Sequence, residues 1–274
     1  MSCSYNCDLP CSVCHVSRPM ITVLALWRRI VQIRHQLYSP EVLFSNVASI
    51  HNSAVPLTLV SFVPTISIIF TLSYNDDEFA SQIFFVICKL WLLLAPAYWY
   101  LIVEKNPPSW SLPSRDGLVV GGISAILMSI IIIVMWLIFG DTVDTDSINS
   151  ELDSTGLTEF RVYLAGMIYW IFLNSLLEEY VFRWFVTIKS VELLGNETRA
   201  IVLSATLFTL HHAVALHFLG FFWWQTVIAC IGLLSAATFW SWLYVRYRSV
   251  WVCWFSHAIC DIAVFGIGYL IIFG

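Results

Sequence analysis

The chain has 274 residues, of which 59% are hydrophobic and only 11% charged, and its mean hydropathy is +0.81. A soluble domain carries about a quarter of its residues charged to keep its surface in water, so this composition excludes one and describes an all-α, polytopic membrane protein. The net charge of −5 points to no nucleic-acid partner and to no strongly basic face for lipid headgroups.

Residues 1–50 read as a cytoplasmic tail followed by an amphipathic helix. Cys3, Cys7, Cys11 and Cys14 cluster there without the paired C-x₂-C spacing of a zinc module. They fit a disordered tail, with metal binding or S-acylation as the alternatives. Ile21–Ile33 is interrupted by Arg28 and Arg29, and reads as an interfacial helix rather than a span or a signal peptide.

Residues 51–274 read as one membrane helical domain. Runs near the length of about 20 residues that crosses a bilayer fall at Val55–Leu72, Ile83–Val103, Gly117–Gly140, Val162–Leu177, Ala200–Leu219, Phe222–Val245 and Val250–Phe273, which makes seven spans. Pro96 is expected to bend the second. The connection Asp141–Thr158 reads as a solvated acidic loop, and the fourth span continues as a polar-interrupted helix to about Ile188. Gly266 and Gly268 are expected to allow close helix contact in the seventh.

Arg18, Arg28, Arg29 and Arg34 precede the first span, Lys105 and Arg115 follow the second, Lys189 and Arg199 the fourth, and Arg246 and Arg248 the sixth. The alternate connections are acidic or nearly uncharged, so the positive-inside rule predicts a cytoplasmic N-terminus and a C-terminus on the opposite side. Lys89, well inside the second span, reads as snorkelling or as pairing structurally.

Of the eighteen Asp and Glu, only Glu178, Glu179 and Asp261 lie well inside predicted spans. A charge at that depth is unfavourable by roughly 2.5–3.5 kcal/mol and faces a partner or a wet cavity. Glu179 and Arg183 are four apart and share a helix face, the spacing of an ion pair, while Glu178 is turned away and remains available. In the fifth span Phe208 and His212 are four apart, with His211 on a neighbouring face. In the seventh, His257 and Asp261 are four apart, so carboxylate and imidazole can meet. At 1.5 Å per residue from the cytoplasmic ends, Glu178 lies about 16 Å deep, His212 about 20 Å, His257 about 12 Å and Asp261 about 18 Å. Three helices thus bring polar groups to one membrane level.

The order Glu178-Glu179-Tyr180-Val181-Phe182-Arg183, then Phe208-Thr209-Leu210-His211-His212, then His257-Ala258-Ile259-Cys260-Asp261 resembles the EExxxR, FxxxH and HxxxN/D motifs of the CPBP family of intramembrane glutamic endopeptidases. That family includes the CAAX prenyl proteases and the bacteriocin-processing and self-immunity proteins. The resemblance covers about residues 160–270. It implies metal-independent hydrolysis of a peptide bond at the membrane, with no cofactor. Glu178 would be the general base, His212 would hold the water with it, His257 and Asp261 would form the oxyanion site, and Glu179 and Arg183 would support them. The last motif position is often Asn, which can donate to an oxyanion, whereas an ionised Asp261 only accepts. The expected role of Asp261 is therefore to orient and charge His257.

Other chemistry fits the same residues. Glu178, His212 and His257 could form a zinc site with an open position for water, although the HExxH spacing is missing. A non-enzymatic immunity or scaffold protein, or a proton-coupled transporter, would also keep buried Glu, His, Arg and Asp. The polar group expected from repeated transporter halves is absent. As an endopeptidase the chain would act on a membrane-associated protein or peptide, a prenylated one being among the candidates, with the lipid bilayer as its other partner.

Overall fold

The computed structural model describes residues 53–73, 78–108, 111–153 and 155–274. The N-terminal tail, its cysteines and the amphipathic helix lie outside the described residues. Seven helices long and apolar enough to cross a membrane are present among those described, and no strand. In chain order the elements are α1 (Ser53–Leu72), α2 (Phe79–Val103), α3 (Arg115–Thr142), a short α4 (Thr145–Asp153), α5 (Phe160–Leu194), α6 (Glu197–Phe218), α7 (Trp223–Tyr247) and α8 (Val250–Phe273). All seven expected spans are found.

Two boundaries differ from expectation. The fourth span, α5, runs on to Leu194, because Lys189 finds two carboxylates, Glu104 at the end of α2 and Glu192 one turn ahead. Polarity that reads as a helix end is internally neutralised. The acidic connection after α3 is not all loop: α4 forms within it and buries Ile148 at 6% exposure.

Helix ends follow local chemistry. The Ser114 hydroxyl accepts from Gly117 N–H at 3.1 Å, the Glu159 carboxylate from Val162 N–H at 2.9 Å and the Asn196 side chain from Arg199 N–H at 3.0 Å, each capping otherwise unpaired donors. α5 ends at Gly195, whose φ of 62° is the left-handed turn glycine adopts most easily. Pro96 lies inside α2, and the helix widens into a π turn at Trp99–Val103 just beyond it.

α6 packs on α1, α7 and the end of α5, and α3 packs along α8, which also meets α7 and the middle of α5. The α3–α8 approach depends on Gly121, where an added Cβ would stand 3.2 Å from the Val252 carbonyl. Gly268 likewise seats the Tyr163 hydroxyl, which donates to the Phe265 carbonyl, whereas Gly266 faces open space. The core gathers Val181, Phe182, Phe185, Phe208, Trp240, Leu243 and Val252 where α5–α8 meet. Every acid expected inside a span sits beside this core.

Candidate active site

α5 departs from regular winding on both sides of Glu178 and Glu179. π turns at Tyr169–Asn174 and Tyr180–Val186 flank the segment Ser175–Glu179. A π turn fits an extra residue into one turn and shifts the helix face. The second is stabilised at the Phe182 carbonyl, which accepts from the Thr187 N–H, from the Thr187 hydroxyl at 2.8 Å and from the Ser204 hydroxyl of α6 at 2.9 Å.

The expected Glu179–Arg183 pair forms, with Nε donating to Oε2 at 2.9 Å and both side chains at 0% exposure. Arg183 Nη1 also donates to the Ser241 hydroxyl at 3.1 Å. Its guanidinium lies 4.6 Å from the Phe208 ring centre and 5.6 Å from that of Trp240, so aromatic faces supplement the ion pair.

Glu179 does a second job that the sequence did not announce. Its Oε1 lies 2.9 Å from His257 Nδ1, and because an ionised carboxylate only accepts, Nδ1 carries the proton. Trp240 stacks on the His257 ring, with centres 4.3 Å apart and planes at 24°, and its indole N–H donates to Ser256 at 3.0 Å. His257 Nε2 is thereby aimed at Glu178 Oε2, 4.0 Å away, and at Asp261 Oδ1, 3.5 Å away. Glu179, not Asp261, holds this imidazole by the shorter contact; 3.5 Å lies beyond the ordinary hydrogen-bond range.

Glu178 is less free than its helix face suggested, because Asn174 donates to its Oε1 at 2.8 Å. The side chain keeps 15% exposure, whereas Glu179 has none. His212 Nδ1 lies 3.0 Å from the Phe208 carbonyl; a carbonyl only accepts, so Nδ1–H donates and Nε2 is left for the pocket. The Phe208 and His212 rings are 4.5 Å apart. His211 stacks on Phe182 with centres 5.4 Å apart, and its Nε2 is 3.7 Å from Glu178 Oε1. Neither ring nitrogen of His211 has a hydrogen-bond partner among the described residues, although the residue is 4% exposed.

The structure therefore brings Glu178, His212, His257 and Asp261 into one polar cluster, with Glu179 and Arg183 beside it. It adds Asn174, His211 and Trp240. Asn174 is the only asparagine inside a described span and stands four residues before Glu178, a spacing that could have revealed it. Glu178, His211 and His212 also offer one carboxylate oxygen and two ring nitrogens within 4.8 Å of one another, a donor set that fits a divalent cation such as zinc. The third donor differs from the sequence expectation, which placed His257 there.

Residues 160–263 match the family model described as Type II CAAX prenyl endopeptidase Rce1-like. No curated protein and no solved structure matches the chain. The chain is an integral, multi-pass membrane protein, and the match supports a CAAX-type intramembrane protease, a hydrolase, at the level of the family.

Proposed function

We propose that the chain is an intramembrane endopeptidase in which Glu178 activates the attacking water. Glu178 takes one proton from a water held against His212 Nε2, and the resulting hydroxide adds to the carbonyl carbon of the scissile peptide bond. The negative charge that develops on the carbonyl oxygen meets the Nε2–H of His257, whose Nδ1–H is fixed by Glu179. The C–N bond then breaks, and Glu178 returns its proton to the departing amine. Asp261, beside His257 Nε2, offsets positive charge on that ring rather than touching the oxyanion.

The observation that carries this reading is the convergence on one carboxylate of imidazoles from two other helices: His211 Nε2 at 3.7 Å and His257 Nε2 at 4.0 Å, with His212 in the same cluster. Lipid would not tolerate such a group without a wet cavity or partners. The substrate is a membrane-associated protein or peptide, a prenylated C-terminus being the first candidate to try. The Lys and Arg distribution predicts the N-terminus inside and the C-terminus outside, and the reading has the site reached by water from the cytoplasmic side. The test is turnover of an internally quenched farnesylated C-a-a-X peptide by purified protein in liposomes, compared with Glu178→Gln. Cleavage by the wild type alone supports the reading, and equal cleavage by both overturns it.

One observation favours a second reading. The ring nitrogens of His211, neither in a hydrogen bond among the described residues, would with Glu178 and His212 suit a metal ion, which would supply Lewis-acid activation of water. His212 is already oriented for it through Nδ1–H to the Phe208 carbonyl. Loss of turnover on chelation, restored by zinc, would select this reading.

A further inference from the structure

Lys89 of α2 lies outside the 160–263 segment that matches the protease family, yet it touches the candidate site. Its ammonium donates to Asn174 Oδ1, and Asn174 Nδ2 donates to Glu178 Oε1 at 2.8 Å. Two buried cations within spans, Arg183 and Lys189, each have a carboxylate within 3.0 Å. Among the described residues, Lys89 has no carboxylate in ion-pair contact; it meets a neutral amide, with the Phe85 ring 5.0 Å away.

The chemistry of the three groups fixes the direction of the chain of contacts. An ammonium can only donate and an ionised carboxylate can only accept, so an amide between them has one acceptable orientation, oxygen toward Lys89 and nitrogen toward Glu178. Without the ammonium the amide can rotate and turn its oxygen on the carboxylate. Asn174 is itself 8% exposed and ends a π turn, so no bulk water is on hand to hold it. We propose that Lys89 is a positioning residue for Glu178, acting through Asn174 to hold one carboxylate oxygen so that the other faces the attacked bond.

This proposal rests on Glu178 being the group that activates water, and the test separates the two. Turnover of the quenched farnesylated peptide is measured for the wild type, Lys89→Met, Lys89→Arg and Glu178→Gln in liposomes. The expected result is a fall in kcat of about tenfold or more for Lys89→Met with KM nearly unchanged, and recovery to within about threefold for Lys89→Arg. Loss of turnover in Glu178→Gln with unchanged kcat in Lys89→Met overturns the positioning role alone. Equal losses in the Met and Arg variants, tracking a lowered unfolding midpoint, would make Lys89 structural and overturn it too. If the wild type does not cleave this peptide, the unfolding midpoints of Lys89→Met, Glu178→Met and the double variant decide, the methionine leaving Asn174 no acceptor at that position. Shifts that fall short of additivity support the contact chain, and additive shifts overturn it.

Discussion

Arg183→Met should destabilise the protein more than Arg183→Met combined with Glu179→Met, although the double variant leaves His257 Nδ1–H without its acceptor and so stops short of neutral. The single change leaves the Glu179 carboxylate, at 0% exposure, with His257 Nδ1–H as its remaining donor, and removes the guanidinium from between Phe208 and Trp240. Breaking a buried pair by removing one partner is destabilising by about 3–5 kcal/mol, whereas replacing both by apolar groups of similar volume is often neutral. The lost aromatic contacts add about 1–2 kcal/mol, and a charged His257 would offset part of the first figure. A net loss of about 3–5 kcal/mol lowers the folded-to-unfolded ratio by roughly two to nearly four orders of magnitude. Denaturant titration of the purified protein in micelles, followed by tryptophan fluorescence, measures both variants and Glu179→Met. The expected outcome is a double variant more stable than Arg183→Met. A single variant within about 1 kcal/mol of wild type, the range of a surface pair, would refute the reasoning.

Three further outcomes follow from the same geometry. His212→Leu should lower kcat by about 10²–10⁴ with a smaller change in KM, since it removes a group placed on the attacking water; unchanged kcat would remove His212 from the site. Asp261→Asn should retain activity to within a few-fold, because Glu179 supplies the closer contact to His257 and an amide can itself donate to an oxyanion; a loss beyond about 10² would restore Asp261 to an essential part. Turnover should survive incubation with a strong zinc chelator, and chelator-sensitive activity that returns with zinc would favour the Glu178–His211–His212 metal reading.

The spans were legible in the sequence because lipid leaves few alternatives: about 20 apolar residues per crossing and no unpaired backbone. Intrahelical pairs were legible for a similar reason, since the i, i+4 rule depends on nothing beyond one helix, and Glu179–Arg183 forms as that rule requires. Contacts between helices were not legible, because they depend on how each rod is rotated. Thus Glu179 turned out to serve Arg183 and His257 at once, and Lys89 turned out to reach Asn174. The two π turns of α5 have no sequence signature in period or composition, yet they set which face Glu178 presents. Asp141–Thr158 read as loop because seven of the nine residues of α4 are acidic or polar and only one apolar side chain is buried; a short helix with one anchoring side chain, Ile148, leaves almost no periodic signal.

The central claim is that one buried carboxylate, set among histidines from α6 and α8, hydrolyses peptide bonds. Glu178→Gln keeps the size of the side chain and an acceptor for Asn174 but cannot take a proton at neutral pH. Comparing turnover of the farnesylated quenched peptide by wild type and Glu178→Gln in the same liposomes, at matched folded concentration, tests it directly. The account predicts cleavage by the wild type and a loss of at least about 10³-fold in the variant. Cleavage at the same rate by both proteins would contradict it.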